Sequence, residues 1–173
     1  MPEEYHCVHN RLMIPCKDLS QYNKYEDYIF NLYKTIYESH SITYNEKPVT
    51  MKHRPPNYDE RSGFYHIVCE NYKDTNDEQD RDPNLSRCER ITWGAQIISK
   101  CAKKDIDCNN LLVWENTRYS KCNILLFCPD INYLVVLGIR QDYYLLTTAY
   151  PVRPHTREKL LKEYHKYIAN DAS

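Results

Sequence analysis

Apolar positions recur at helical spacing from Leu19 to about Ser39, where Tyr25, Ile29, Leu32 and Ile36 mark one face. Asp18 stands before them as an N-cap. From Asn45 to Ser62, Pro48, Pro55 and Pro56 fall among polar residues, so this stretch reads as loop with a short strand over Pro48–His53. In Phe64–Glu70, Tyr65, Ile67 and Cys69 alternate with Phe64, His66, Val68 and Glu70, which predicts a strand. Asn71–Asn84 is polar and acidic and reads as loop. Ser86–Cys101 returns to helical spacing, with Ile91, Ala95 and Ile98 on its apolar face. Ser86 is its expected N-cap, and Glu89 completes a capping box. Four strand-like runs follow: Leu111–Asn116, Ile124–Pro129, Tyr133–Arg140 and Tyr143–Val152. Only Gln141 and Asp142 separate the last two, which predicts a tight antiparallel hairpin. Pro154–Ala169 closes the chain as a helix with Leu160, Leu161, Tyr164 and Tyr167 along one side.

Strands in a run, bounded by helices, predict an α+β fold with a four-stranded or slightly larger antiparallel sheet and flanking helices. We expect residues 1–60 to form an N-terminal helical extension and residues 61–173 the main domain. A chain of 173 residues can bury a core without staples. Its 3 glycines are too scattered for a phosphate-binding loop or a dinucleotide fingerprint. The net charge of -1 does not advertise nucleic-acid binding. The distribution says more: residues 1–85 carry 10 basic and 15 acidic side chains, residues 86–173 carry 13 and 9. A basic surface in the second half suits phosphates, and simple solubilisation accounts for it equally well.

The 8 cysteines include no CxxC pair, and the opening MPEEYHCVHN lacks the apolar core of a signal peptide. They are therefore expected as free thiols in a cytoplasmic protein. His6, Cys7, His9 and Cys16 are ligand types zinc accepts, at a spacing that matches no standard zinc pattern, so no metal is expected. No apolar stretch approaches the ~20 residues that span a bilayer.

Several segments resemble the barnase–EndoU–colicin–RelE-like nuclease superfamily, and within it the phage-associated subgroup. They are FYHIVCE with Arg81–Pro83, RCERITW (Arg87–Trp93), LLVWEN (Leu111–Asn116), YLVVLGIR (Tyr133–Arg140), and YYLLTTAYPV followed by REKLLKEY (Arg157–Tyr164). The likeness covers roughly residues 60–168. It implies a metal-independent, cofactor-free endoribonuclease, often toxin-like, with catalytic residues scattered over the sheet. Implied partners are RNA, including tRNA or ribosome-bound RNA, and an antitoxin or immunity protein.

Such an enzyme uses the substrate's 2'-OH as nucleophile. It needs a His or carboxylate as base, a second proton donor, and one or two cations to stabilise the phosphorane. His66 is the first candidate, with Glu70 on the same strand face as its orienting group or as base; a structural histidine is the alternative. Thr148 and Tyr150 offer hydroxyls on one face, away from Thr147 and Ala149, though both residue types are also plain strand formers. Arg90 and Arg140 are candidate phosphate clamps, followed by Arg87, Arg118 and Arg153; each is otherwise a surface salt bridge. Trp93 and Trp114 either stack on bases or fill the core. The acidic stretch Asp74–Asp82 is a candidate gate that mimics phosphate. The competing class is a non-catalytic RNA- or protein-binding module on the same fold.

Overall fold

The structure is a computed structural model that describes residues 13–39, 41–51, 60–71, 81–102 and 110–172. His6, Cys7, His9, the 52–59 part of the proline-rich stretch and residues 74–80 of the acidic stretch lie outside the described residues.

The expected first helix is present. Leu19–Gln21 forms a 3-10 turn that runs into α1, Tyr22–Tyr37. The Asp18 side chain caps the turn by accepting from the Ser20 N–H. Helix α1 buries Ile29, Phe30, Tyr33 and Tyr37, the i, i+1, i+4, i+8 stripe of an amphipathic helix. Next come β1 (Thr43–Tyr44) and β2 (Lys47–Met51), joined by Asn45 and Glu46, both at positive φ. That is the twist a two-residue hairpin demands, here met without glycine.

FYHIVCE is not a strand. Ser62–Val68 is a helix, α2, and only Cys69–Asn71 is extended, as β3. The buried residues Phe64, Ile67 and Val68 stand at i, i+3 and i+4, so the same short apolar run satisfies a helical period as well as an alternating one. Strand β3 pairs antiparallel with β4 (Arg81–Pro83) in a separate two-stranded sheet. Arg61 ties this region to α1, with bonds to Glu26 and Asp27 and its guanidinium 4.5 Å from the Phe30 ring centroid.

The second expected helix is broken. Leu85–Cys88 forms α3, capped by Asn84 rather than Ser86: the Asn84 side chain accepts from the Arg87 N–H. A tightened turn of three-residue bonds follows. Helix α4, Trp93–Gln96, then passes into a π turn at Ile97–Cys101. The cause of the break is Tyr37. Its hydroxyl donates to the Ile91 carbonyl at 2.6 Å and accepts from the Ala95 N–H at 3.2 Å. Those are the two groups a continuous helix would join directly, and a side chain inserted into that ladder bends it. Gly94 makes room, since a Cβ there would lie 3.0 Å from the Tyr37 oxygen.

Four strands then form the expected antiparallel meander: β5 (Leu112–Arg118), β6 (Lys121–Cys128), β7 (Tyr133–Ile139) and β8 (Tyr144–Pro151). The Arg140 N–H and the Tyr143 carbonyl close the predicted two-residue loop. The sheet, however, has six strands in the order β1-β2-β8-β7-β6-β5, and β2 runs parallel to β8. It is mixed, not antiparallel throughout; the class remains α+β. Helix α5 (Pro154–Asp171) closes the chain.

The two sheet faces bury separate clusters. One face packs on α1, α2, α4 and the π turn through Val135, Leu137, Leu146 and Ala149, and in this cluster residues before position 60 mix with those after it. The other face packs on α5 through Trp114, Leu125, Phe127, Leu134 and Val152. No helix among the described residues is long and apolar enough to cross a membrane.

Candidate functional site

Four of the expected residues, Glu70, Arg87, Tyr150 and Arg153, come together at the C-terminal end of β8. Helix α3 carries Arg87, whose guanidinium donates to the Cys69 carbonyl at 3.1 Å and lies 4.9 Å from the Tyr150 ring centroid. Burial pushes the Arg87 guanidinium below its ordinary pKa, and the charges of Glu70, Tyr150 and Tyr133 pull against that shift. A half-buried arginine stacked on a tyrosine is a cation with a fixed orientation. Arg153, at the N-terminal boundary of α5, reaches Glu70 at 3.4 Å. The pair is well exposed, at 79% and 41%. Asp82 stands directly opposite Glu70 in the β3–β4 ladder. Like charges placed so cost stability, and the pairing joins residues twelve positions apart, which residue spacing does not predict.

His66 is half-buried in the last turn of α2, so the strand periodicity that set it beside Glu70 does not apply. Arg90 is held within its own segment: it donates to the Ser86 carbonyl and hydroxyl, both at 2.9 Å, and lies 3.6 Å from Glu89. Its guanidinium sits 5.0 Å from the Trp93 ring centroid. Trp93 is 7% exposed and packs on Tyr133, and Trp114 is 1% exposed; both belong to the core. Thr148 lies opposite Val136 next to a bulge. The bulge changes the expected facing of Thr147, whose hydroxyl lies 3.3 Å from where a Cβ on Gly138 would be. Gly138 alternates with Leu137, which faces α1, so Thr147 shares the α5 side of the sheet rather than the Ala149 side. Arg140 also lies over Gly138, with Nη1 3.2 Å from the same point, and donates to the Ile139 carbonyl.

A second polar group was not legible in the sequence. Glu163 on α5 accepts from Trp114 Nε1 at 2.9 Å, Asn116 Nδ2 at 2.6 Å and Arg118 at 2.7 Å. Burial pushes the Glu163 carboxyl up, but these three donors outweigh it and hold the group below its ordinary value. Asn123 extends the row by donating to Asn116 Oδ1 at 3.3 Å. Among the described residues, no group of three or more His, Cys, Asp or Glu side chains is placed to hold a metal. Comparison of the chain with protein-family models, curated proteins and solved structures gave no match in any of the three.

Proposed function

We propose that the chain is an endoribonuclease of the barnase–EndoU–colicin–RelE-like kind that cleaves RNA by attack of the 2'-OH. The observation that supports it is the convergence of Glu70, Arg87, Tyr150 and Arg153, which supplies a carboxylate, a phenol and two guanidiniums at one sheet end. In this reading Glu70 takes the 2'-OH proton as the 2'-oxygen bonds to phosphorus. The bond from phosphorus to the 5'-oxygen breaks, and the Tyr150 hydroxyl protonates that oxygen. Arg87 and Arg153 neutralise the phosphorane, Arg87 from a fixed position and Arg153 after leaving Glu70. The products are a 2',3'-cyclic phosphate and a 5'-OH. A toxin-like role, with an antitoxin or immunity partner, belongs to the same proposal and rests on the sequence resemblance.

The test is incubation of purified protein with total RNA in chelator, with chemical identification of the product ends. Glu70→Gln and Tyr150→Phe should each slow cleavage by about 10²–10⁴-fold while leaving the circular-dichroism melt unchanged. His66→Ala, run alongside, should cut as wild type does. Intact RNA with wild type, or full activity in both site variants, overturns the proposal.

A second reading, a non-catalytic RNA- or protein-binding module, draws on the existing Arg153–Glu70 contact. An ion pair that a ligand phosphate opens is a binding device that needs no chemistry. Salt-sensitive RNA binding without cleavage would favour it.

A further inference from the structure

On the α5 side of the sheet, three cations form a stripe at the edge away from Tyr150. Arg118 and Lys121 are direct cross-strand partners that flank the β5–β6 hairpin. Two residues beyond the Asn123–Gly138 pair, on their respective strands, come Lys121 and Arg140. Side chains two apart on a strand share a face, so Arg118, Lys121 and Arg140 line up across β5, β6 and the end of β7. Like charges in neighbouring cross-strand positions cost stability. Among the described residues one carboxylate, Glu163, answers them, and it bonds Arg118 alone of the three. Gly138 shapes the stripe: having no side chain, it leaves open the place over which the Arg140 guanidinium lies. Asn116 and Asn123 adjoin it on the same face, and the Thr147 hydroxyl closes its β8 side.

We propose that this stripe is a second phosphate-binding subsite, which takes the backbone of single-stranded RNA at a distance from the scissile bond. The cations meet phosphates, and the Asn116 and Asn123 amides beside them offer polar edges to splayed bases. Leu134, the cross-strand partner of Tyr150, is four residues from Gly138, over which the Arg140 guanidinium lies, a separation of about 13 Å at the rise of a strand. A dinucleotide therefore reaches only one of the two places, and a longer single strand reaches both. This inference rests on the ribonuclease reading for its connection to cleavage, but not for the binding itself.

The experiment titrates the full chain with a fluorescent 2'-O-methyl decaribonucleotide and, separately, a 2'-O-methyl dinucleotide. Neither can be cut by 2'-OH attack. The double variant Lys121→Ala/Arg140→Ala should bind the longer probe about tenfold more weakly, and its log–log salt slope should fall by about 0.7 for each cation removed. The dinucleotide, which cannot span both places, should lose less affinity than the decanucleotide. Gly138→Ala, which retains every charge but crowds the Arg140 guanidinium, should weaken the longer probe in the same direction. Unchanged decanucleotide affinity in both variants overturns the subsite. Displacement of the probe by polyglutamate at equal charge concentration overturns its assignment to nucleic acid in favour of an acidic protein partner. If wild type cuts no RNA but these shifts appear, the subsite stands and the ribonuclease reading falls. If wild type cuts RNA and the shifts are absent, the subsite alone falls.

Discussion

Tyr37→Phe is the most informative single change, because it deletes one oxygen atom from the centre of the fold. Tyr37 is 2% exposed, and its hydroxyl stands between the Ile91 carbonyl and the Ala95 N–H. Removing it leaves a buried acceptor and a buried donor without the partner that now serves both. Each such bond contributes about 1 kcal/mol net, and an unsatisfied buried group costs about 1–3 kcal/mol. Partial closure of the helix would recover some of this, so the expected loss is about 2 kcal/mol. For a slope of about 2 kcal/mol per molar urea, the unfolding midpoint should fall by roughly 1 M. The assay is urea unfolding followed by far-ultraviolet circular dichroism, with Tyr119→Phe as control, since Tyr119 is 96% exposed. Gly94→Ala should act in the same direction, because its Cβ would meet the Tyr37 oxygen at 3.0 Å and the Ala149 Cβ at 3.1 Å. A midpoint for Tyr37→Phe within error of wild type would refute the reasoning. It would mean that Ile91 and Ala95 close a regular helical bond without penalty, and that the hydroxyl is not what breaks the helix.

Two further outcomes follow from the titrating groups. The Glu163 carboxyl is held below its ordinary value, so it contributes stability that is present above the unfolded-chain pKa, near 4.5, and is lost as pH falls through the folded one. Glu163→Gln should therefore flatten the acid limb of the stability–pH curve below about pH 4.5, measured as melting temperature against pH; an unchanged limb would show that the carboxylate's three bonds carry no such linkage. Burial pushes the Cys88 thiol up to about 11, whereas Cys122 is exposed. A thiol reagent at neutral pH should label Cys122 quickly and Cys88 only on unfolding, read by peptide mass; rapid labelling of Cys88 in the native protein would contradict its burial.

Where local periodicity was strong, the chain declared itself. Helix α1, the β5–β8 meander and α5 each follow from a hydrophobic stripe, an alternation or a turn dipeptide that no distant residue has to supply. FYHIVCE failed for a local reason, since seven residues with apolar positions at both spacings fit two conformations. The break between α3 and α4 failed for a non-local one: the oxygen that opens the ladder belongs to a residue 54 positions away. The six-stranded sheet likewise needed β2 to meet β8, a parallel pairing between segments far apart in the chain that no composition encodes.

The candidate site divides in the same way. Residue type nominated Glu70, Arg87, Tyr150 and Arg153, because phosphate chemistry needs carboxylates, phenols and guanidiniums. Only the packing of α3 and the β3–β4 ladder against the end of β8 brought those four together, while holding Arg90 in its own helix turn and carrying His66 on α2. Glu163 and its three donors, and the cation stripe over Gly138, come from elements that meet across the sheet. The sequence by itself determined which residues pack and which chemistry they carry, since both are properties of single side chains and their near neighbours. Tertiary structure alone decided which of them share a site, because contact between distant residues depends on how whole elements bury their apolar faces, and one local pattern is compatible with many such arrangements.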